Sequence, residues 1–265
     1  MDKKIYNIVI LNDPNIGDLA TSPLDYFSFP IEAQKVSAKN YDPAELKDKF
    51  IIYGGGGLIH LPSPDYANGR MGYLEELCEL SPWLVSWGIG HNIHHSKEIK
   101  YPDYFIKAFR LHGVRDMNQV IPWVPCASCM SKLFNRSKYN VKEEIVITGH
   151  NLERYPQVKD FPQHDHDKGT VEEAVRFIAS SKTVVTNAYH AAYWGMLLGK
   201  KVVVFNPAST RYYGLPEEVE LATPDTWKER LSIAKPSKGF LKKCRDKNKQ
   251  HHKKVLELVE EYIQE

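Results

Sequence analysis

Val184-Val185-Thr186-Asn187-Ala188-Tyr189-His190-Ala191-Ala192-Tyr193-Trp194-Gly195 is followed by Met196-Leu197-Leu198-Gly199-Lys200-Lys201 and then by Val202-Val203-Val204-Phe205. An apolar β-branched run ends in small and polar residues, a histidine stands where a helix begins, and a second β-branched run follows. The order reads as strand, corner, helix and next parallel strand. In open parallel sheets, ligands bind beyond the carboxyl ends of the strands, at the loops that lead into helices. His190 is therefore placed where chemistry is done, with Asn187 beside it as a candidate for binding a donor.

The same rhythm extends outward from this corner. Residues 5–11 read as a first strand, closed by Asn12-Asp13-Pro14-Asn15-Ile16-Gly17-Asp18. Phe50-Ile51-Ile52-Tyr53 is closed by Gly54-Gly55-Gly56-Gly57, and residues 83–87 by Gly88-Ile89-Gly90-His91-Asn92. Helical spacing appears at 43–48 and 72–80. Strands that end in Gly, Asn or Asp and alternate with helical patterns predict a parallel α/β sheet. Residues 144–151 open a second unit. Thr170 and Glu173 at capping-box spacing then predict a helix over 170–179, with Val171, Val175 and Ile178 on one face. The polar, basic stretch 131–142 reads as a linker between the two units.

The glycine run is neither a Walker A, since Leu58-Ile59-His60 follows it, nor a dinucleotide fingerprint. Its Gly55, Gly56 and Gly57, like Gly17 of the first loop, are candidates for offering backbone N–H groups to an anion. Asp18 is a candidate acid or base, its plainer role being a helix cap. Arg115, in Val114-Arg115-Asp116, is the leading cation for an anionic substrate, with Arg110 and Arg211 in reserve. Arginine suits phosphate and carboxylate because its fork binds them bidentately.

Composition narrows the classes. The 265 residues are 42% hydrophobic and 26% charged, with a formal net charge of +2, too little to suggest nucleic acid. The first apolar run is too brief for a signal peptide, and no stretch approaches the roughly 18 apolar residues of a membrane span, so a cytoplasmic location is expected. Of the cysteines, Cys126 and Cys129 form a CxxC with no partner pair at zinc spacing, which reads as packing. The histidines at 91, 94, 95, 164 and 166 read as solvated loop residues; neither metal nor cofactor is expected. From Lys228 to Lys254 there are eleven Lys/Arg and two acids, a tract that would attract an anionic membrane surface or form a solvated helix face. The apolar stripe at 255–263 predicts a C-terminal helix docked on a domain.

Taken together, Gly17-Asp18, the four glycines, Trp87-Gly88-Ile89-Gly90, Val114-Arg115-Asp116 and Thr186-Asn187-Ala188-Tyr189-His190 with Gly199-Lys200-Lys201-Val202-Val203 resemble the polysaccharide pyruvyl transferases over about residues 5 to 210. The resemblance implies a fold like that of GT-B glycosyltransferases: two Rossmann-like domains facing across a cleft, over 1–135 and 136–238, with a basic segment and C-terminal helix over 239–265. It also implies transfer of pyruvate from phosphoenolpyruvate to two hydroxyls of a sugar, in a cell-surface polysaccharide or its lipid-linked precursor. Arg115 would then hold donor phosphate or carboxylate, and His190 would be the acid or base. Where these enzymes typically carry an arginine two residues before the histidine, Ala188 stands, so Arg211 or a C-terminal lysine must supply the charge. A nucleotide-sugar glycosyltransferase and an inactive glycan-binding protein of the same fold are the alternatives.

Overall fold

The computed structural model describes residues 3–11, 14–39, 41–59, 77–101, 103–117, 120–135, 138–216 and 218–265. Five positions of the helical pattern at 72–80, and Asn12, Asp13 and His60, lie outside them.

Two parallel sheets organise the chain. In the first, β1 (Ile5–Val9), β2 (Ala33–Ser37), β3 (Phe50–Tyr53) and β5 (Leu84–Ser86) lie in the order β2-β1-β3-β5. In the second, β7 (Glu143–Gly149), β8 (Gln163–Asp165), β9 (Ser181–Thr186), β10 (Lys201–Val204) and β11 (Val219–Leu221) lie in the order β11-β10-β9-β7-β8. All four residues of β3 and the last three of β10 are buried, as expected of strands covered on both faces.

The glycine run departs from the expected turn into a helix. Gly54 and Gly55 donate their N–H groups to the carbonyls of Ile8 and Trp87 at 3.0 and 3.1 Å, so the amide of Gly55 already has its acceptor. The chain then continues as β4 (Gly56–Ile59), paired in parallel with β6 (Ile89–His91). Glycine carries little strand propensity, so the pairing comes from Leu58 and Ile59 and from the partner strand rather than from a signal in the run itself.

Of the helices, α1 (Ile16–Leu19) is a single turn, α2 spans Asp103–Ala108, and α3 (Val171–Ala179) starts on the capping box read from the sequence. Thr170 Oγ1 accepts from Glu173 N at 3.1 Å, and Glu173 Oε2 accepts from Thr170 N at 2.8 Å. All nine residues of α4 (Tyr189–Leu197) are buried against β9, β10, α1 and α3, which explains its apolar character all round. The stretch 131–142 is more than a linker, because Phe134 enters the core around α4.

After the short α5 (Trp227–Arg230), α6 runs from Phe240 to Gln264. Its buried stripe, Phe240, Cys244, Asn248, His251, Val255, Val259 and Tyr262, recurs every three or four residues. Phe240 and Cys244 belong to the core around α4, whereas Val255, Val259 and Tyr262 belong to a core on the first sheet with Ile5, Phe50 and Trp83. Midway, Asn248 accepts from Trp87 Nε1 at 2.8 Å and donates to the Pro125 carbonyl at 3.0 Å. The helix ties the two sheets together. Six lysines of the basic tract, Lys242, Lys243, Lys247, Lys249, Lys253 and Lys254, are exposed, while Arg245 donates to the carbonyls of Cys129 and Ser131. No helix among the described residues is long and apolar enough to cross a membrane.

Candidate active site

His190 sits in the first turn of α4, just beyond the carboxyl end of β9, as the corner predicts. Ala188 is the N-cap residue and has no side chain to cap with. The ring lies against α1, where a Cβ on Gly17 would collide with the imidazole, so the first-loop glycine is needed for close approach. Nε2 stands 3.7 Å from Cys126 Sγ, and the residue is 4% exposed. Burial pushes its pKa well below the ordinary value, and Arg115, His166 and Arg211 push the same way.

Arg115 reaches this corner from beside β6, where Val114 bridges Ile89. Its N–H donates to the Ile89 carbonyl at 2.8 Å, and its side chain crosses Gly90, where any Cβ would strike it. The guanidinium then stacks on the Tyr189 ring at 3.8 Å. The residue is 3% exposed, and its Nε and Nη1 have no hydrogen-bond partner. Gly57 lies under Nη2, and Asp18 Oδ1 lies by Gly56, so the glycine run lines the Arg115 side of the site. Asp116, fully buried, accepts from His91 N at 2.6 Å and from the Tyr101 hydroxyl at 2.9 Å. Burial raises its carboxyl pKa, partly offset by Arg115.

Arg211, on the turn Thr210–Tyr212, donates from Nη2 to the Tyr212 hydroxyl at 3.2 Å, and that hydroxyl donates to the Asn187 carbonyl. Its Nε is buried without a partner. Arg110 is remote from this group: it stacks on Trp83 at 4.0 Å and faces Glu261 of α6. Asn187 spends its amide on structure, accepting from His150 N at 2.8 Å and donating to the His150 carbonyl at 2.9 Å. The amide is therefore occupied at both ends rather than held out to a phosphate.

His91 and His166, both read from the sequence as solvated, are buried; the His91 ring nitrogens lie 2.9 Å from Thr210 Oγ1 and from the Lys100 carbonyl. His166, expected in solvent, is fully buried between the rings of His150 at 5.5 Å and Trp194 at 5.4 Å, with neither ring nitrogen bonded. Burial and the neighbouring His150 and His164 push its pKa well down. The signal lay in β8, whose three polar residues end directly before it. Cys126 and Cys129 are buried on the turn Ala127–Met130, their thiols raised by burial. Among the described residues no group of His, Cys, Asp and Glu is placed to hold a metal.

The buried guanidinium of Arg115 and the half-buried one of Arg211, each with unused N–H donors, and a buried imidazole with two unbonded nitrogens surround one corner. Taking a charge out of water costs several kcal/mol unless a counter-charge or hydrogen bonds offset it. The arrangement can do one thing well, which is to receive an anion beside His190.

Among solved structures, a functionally uncharacterised protein from Klebsiella pneumoniae subsp. pneumoniae has a similar fold, with a TM-score of 0.52 and 13% identity over 83% of this chain and 92% of that one. A looser likeness, at a TM-score of 0.41 and 9% identity, links 99% of the chain to 89% of the wall teichoic acid polymerase TagF. No curated protein matches. A sequence model of the polysaccharide pyruvyl transferases matches residues 2–209, and the chain belongs to that family.

Proposed function

We propose that this protein transfers pyruvate from phosphoenolpyruvate to two hydroxyls of a sugar in a polysaccharide or its precursor. The observation that carries the reading is Arg115, 3% exposed, stacked on Tyr189 next to His190 and holding two nitrogens, Nε and Nη1, without acceptors. Phosphoenolpyruvate carries a carboxylate and a phosphate, to which we assign Arg115 and Arg211. Arg211 thus takes the place left by Ala188.

The reaction needs a proton on the methylene carbon, two new carbon–oxygen bonds and loss of the phosphate. The two hydroxyls give up two protons; one replaces the proton delivered to carbon, and the other leaves with phosphate. His190 is held toward the neutral imidazole first by its burial and then by the charges of Arg115 and Arg211. A bound donor carries negative charge that offsets the guanidinium part of that depression, which favours a proton on the imidazole when the substrate is in place and so its delivery to carbon.

Phosphate release from phosphoenolpyruvate, followed with a panel of glycans, tests this. Release that depends on the glycan is expected, and is lost in His190→Ala. Release of nucleotide from a nucleotide sugar, with none of phosphate, would overturn the proposal in favour of glycosyl transfer.

A further inference from the structure

Ketal formation has two proton tasks, delivery to carbon and removal from hydroxyls, and a single 4%-exposed histidine serves the second poorly. A second histidine stands ready at the same corner. His150 follows the carboxyl end of β7, and its Nδ1 lies 2.9 Å from both carboxylate oxygens of Asp167. An ionised carboxylate only accepts, so Nδ1 carries the proton and the lone pair of the neutral ring is on Nε2. The His150 side chain is 20% exposed, against 4% for His190 as a residue, so it is the more open of the two rings.

Its position is fixed from two sides. The reciprocal bonds with Asn187 clamp the His150 backbone to the His190 corner at 2.8 and 2.9 Å. Gly149 is required for that clamp, because a Cβ there would collide with Asn187 Oδ1. The rings of His150 and His166 meet edge to face at 5.5 Å, His166 lies tilted against Trp194 at 5.4 Å, and His190 lies tilted against the same Trp194 at 5.8 Å. A surface ion pair needs none of this support.

We propose that His150 is a second catalytic residue, the base that takes the proton from the attacking sugar hydroxyl, and that Asp167 is its positioning residue. The proposal rests on the pyruvyl-transfer reading for the identity of the electrophile. As the hydroxyl oxygen bonds to the central carbon of the protonated donor, its O–H bond breaks and the proton passes to His150 Nε2. Asp167 balances the imidazolium, and the proton leaves with the phosphate as its bond to the central carbon breaks; the second hydroxyl then bonds to that carbon and gives its proton to His150, from which it passes to solvent while His190 regains the one it delivered. His190 serves the carbon and His150 serves the oxygen.

The test uses the full chain, with His150→Gln and Asp167→Asn beside wild type. The readouts are glycan-dependent phosphate release, calorimetric binding of phosphoenolpyruvate, and nitrogen-15 NMR of the histidine rings. Both variants should lose about 10²- to 10⁴-fold in kcat, bind phosphoenolpyruvate as wild type does and keep the wild-type circular dichroism. The wild-type His150 ring should carry its proton on Nδ1, and Asp167→Asn should release that preference. A His150→Gln variant that keeps wild-type kcat, or one that loses only donor affinity, would overturn the assignment. So would a wild-type ring protonated on Nε2, whatever the activity. A wild-type protein that binds phosphoenolpyruvate but releases phosphate with no glycan would instead sink the pyruvyl-transfer reading, and this step with it.

Discussion

Arg115 is the residue at which stability and function pull apart. Its guanidinium is buried with two donors unused, so the fold bears a desolvation cost that an anion would offset. Arg115→Met should therefore stay folded and melt at or above the wild-type temperature, with a gain on the order of 1 kcal/mol, while losing phosphoenolpyruvate binding. Arg115→Lys keeps the charge but loses the fork and the stacking on Tyr189, and should weaken donor binding about tenfold or more. Calorimetry and thermal melts on the two variants decide it: a destabilised Arg115→Met with intact binding would make the residue structural. At this scale the sequence was partly legible. His190 and Arg115 stand out because strand-to-helix corners and an arginine after a glycine turn are local patterns. His166 and His150 do not, since a short polar strand and a two-residue Gly149-His150 corner give no periodicity to read.

Among the elements, α6 bears the clearest pH dependence. His251 sits on its buried stripe with Nε2 3.0 Å from the Ser86 carbonyl, and burial pulls its pKa from 6.5 down to about 3. Lys254, His252 and His112 push in the same direction. Between those pH values the unfolded chain holds a proton that the folded chain refuses, so stability is intact above 6.5 and falls as the solution is acidified. From pH 7 to pH 5 this one ring should cost the fold on the order of 2 kcal/mol. Urea unfolding of His251→Gln across that range should show an acid loss smaller by about that amount; an identical slope would remove His251 from the account. The stripe of α6 could be read from residues 255–263, but its reach could not. Charged residues crowd the front of the helix, and only the three-dimensional fold shows that Asn248 and Cys244 continue the same face. The pairing of β4 with β6 was hidden for a different reason, since glycine-rich strands take their conformation from partners far along the chain.

At the scale of the whole molecule, the alternation of β-branched runs with helical patterns was enough to predict two parallel α/β units. Among the described residues there are parallel sheets of four and five strands and a two-stranded one, β4 with β6. What alternation does not encode is which loops meet. Gly17, the glycine run and Arg115 come from the first unit, and His150, His166, His190 and Arg211 from the second; α6 locks the sheets together through Trp87 and Pro125 on one side and Phe240 on the other. The anion site we propose is thus a property of the assembled chain, drawing on residues from both halves of the sequence. Its central claim, pyruvyl transfer at the Arg115–His190 corner, is tested most directly by incubating the protein with carbon-13-labelled phosphoenolpyruvate and acceptor glycans and recording the glycan's carbon spectrum. A labelled ketal carbon bonded to two sugar oxygens, absent with His190→Ala, is the predicted result. Tight binding of phosphoenolpyruvate with every label recovered as unreacted donor or free pyruvate would contradict it.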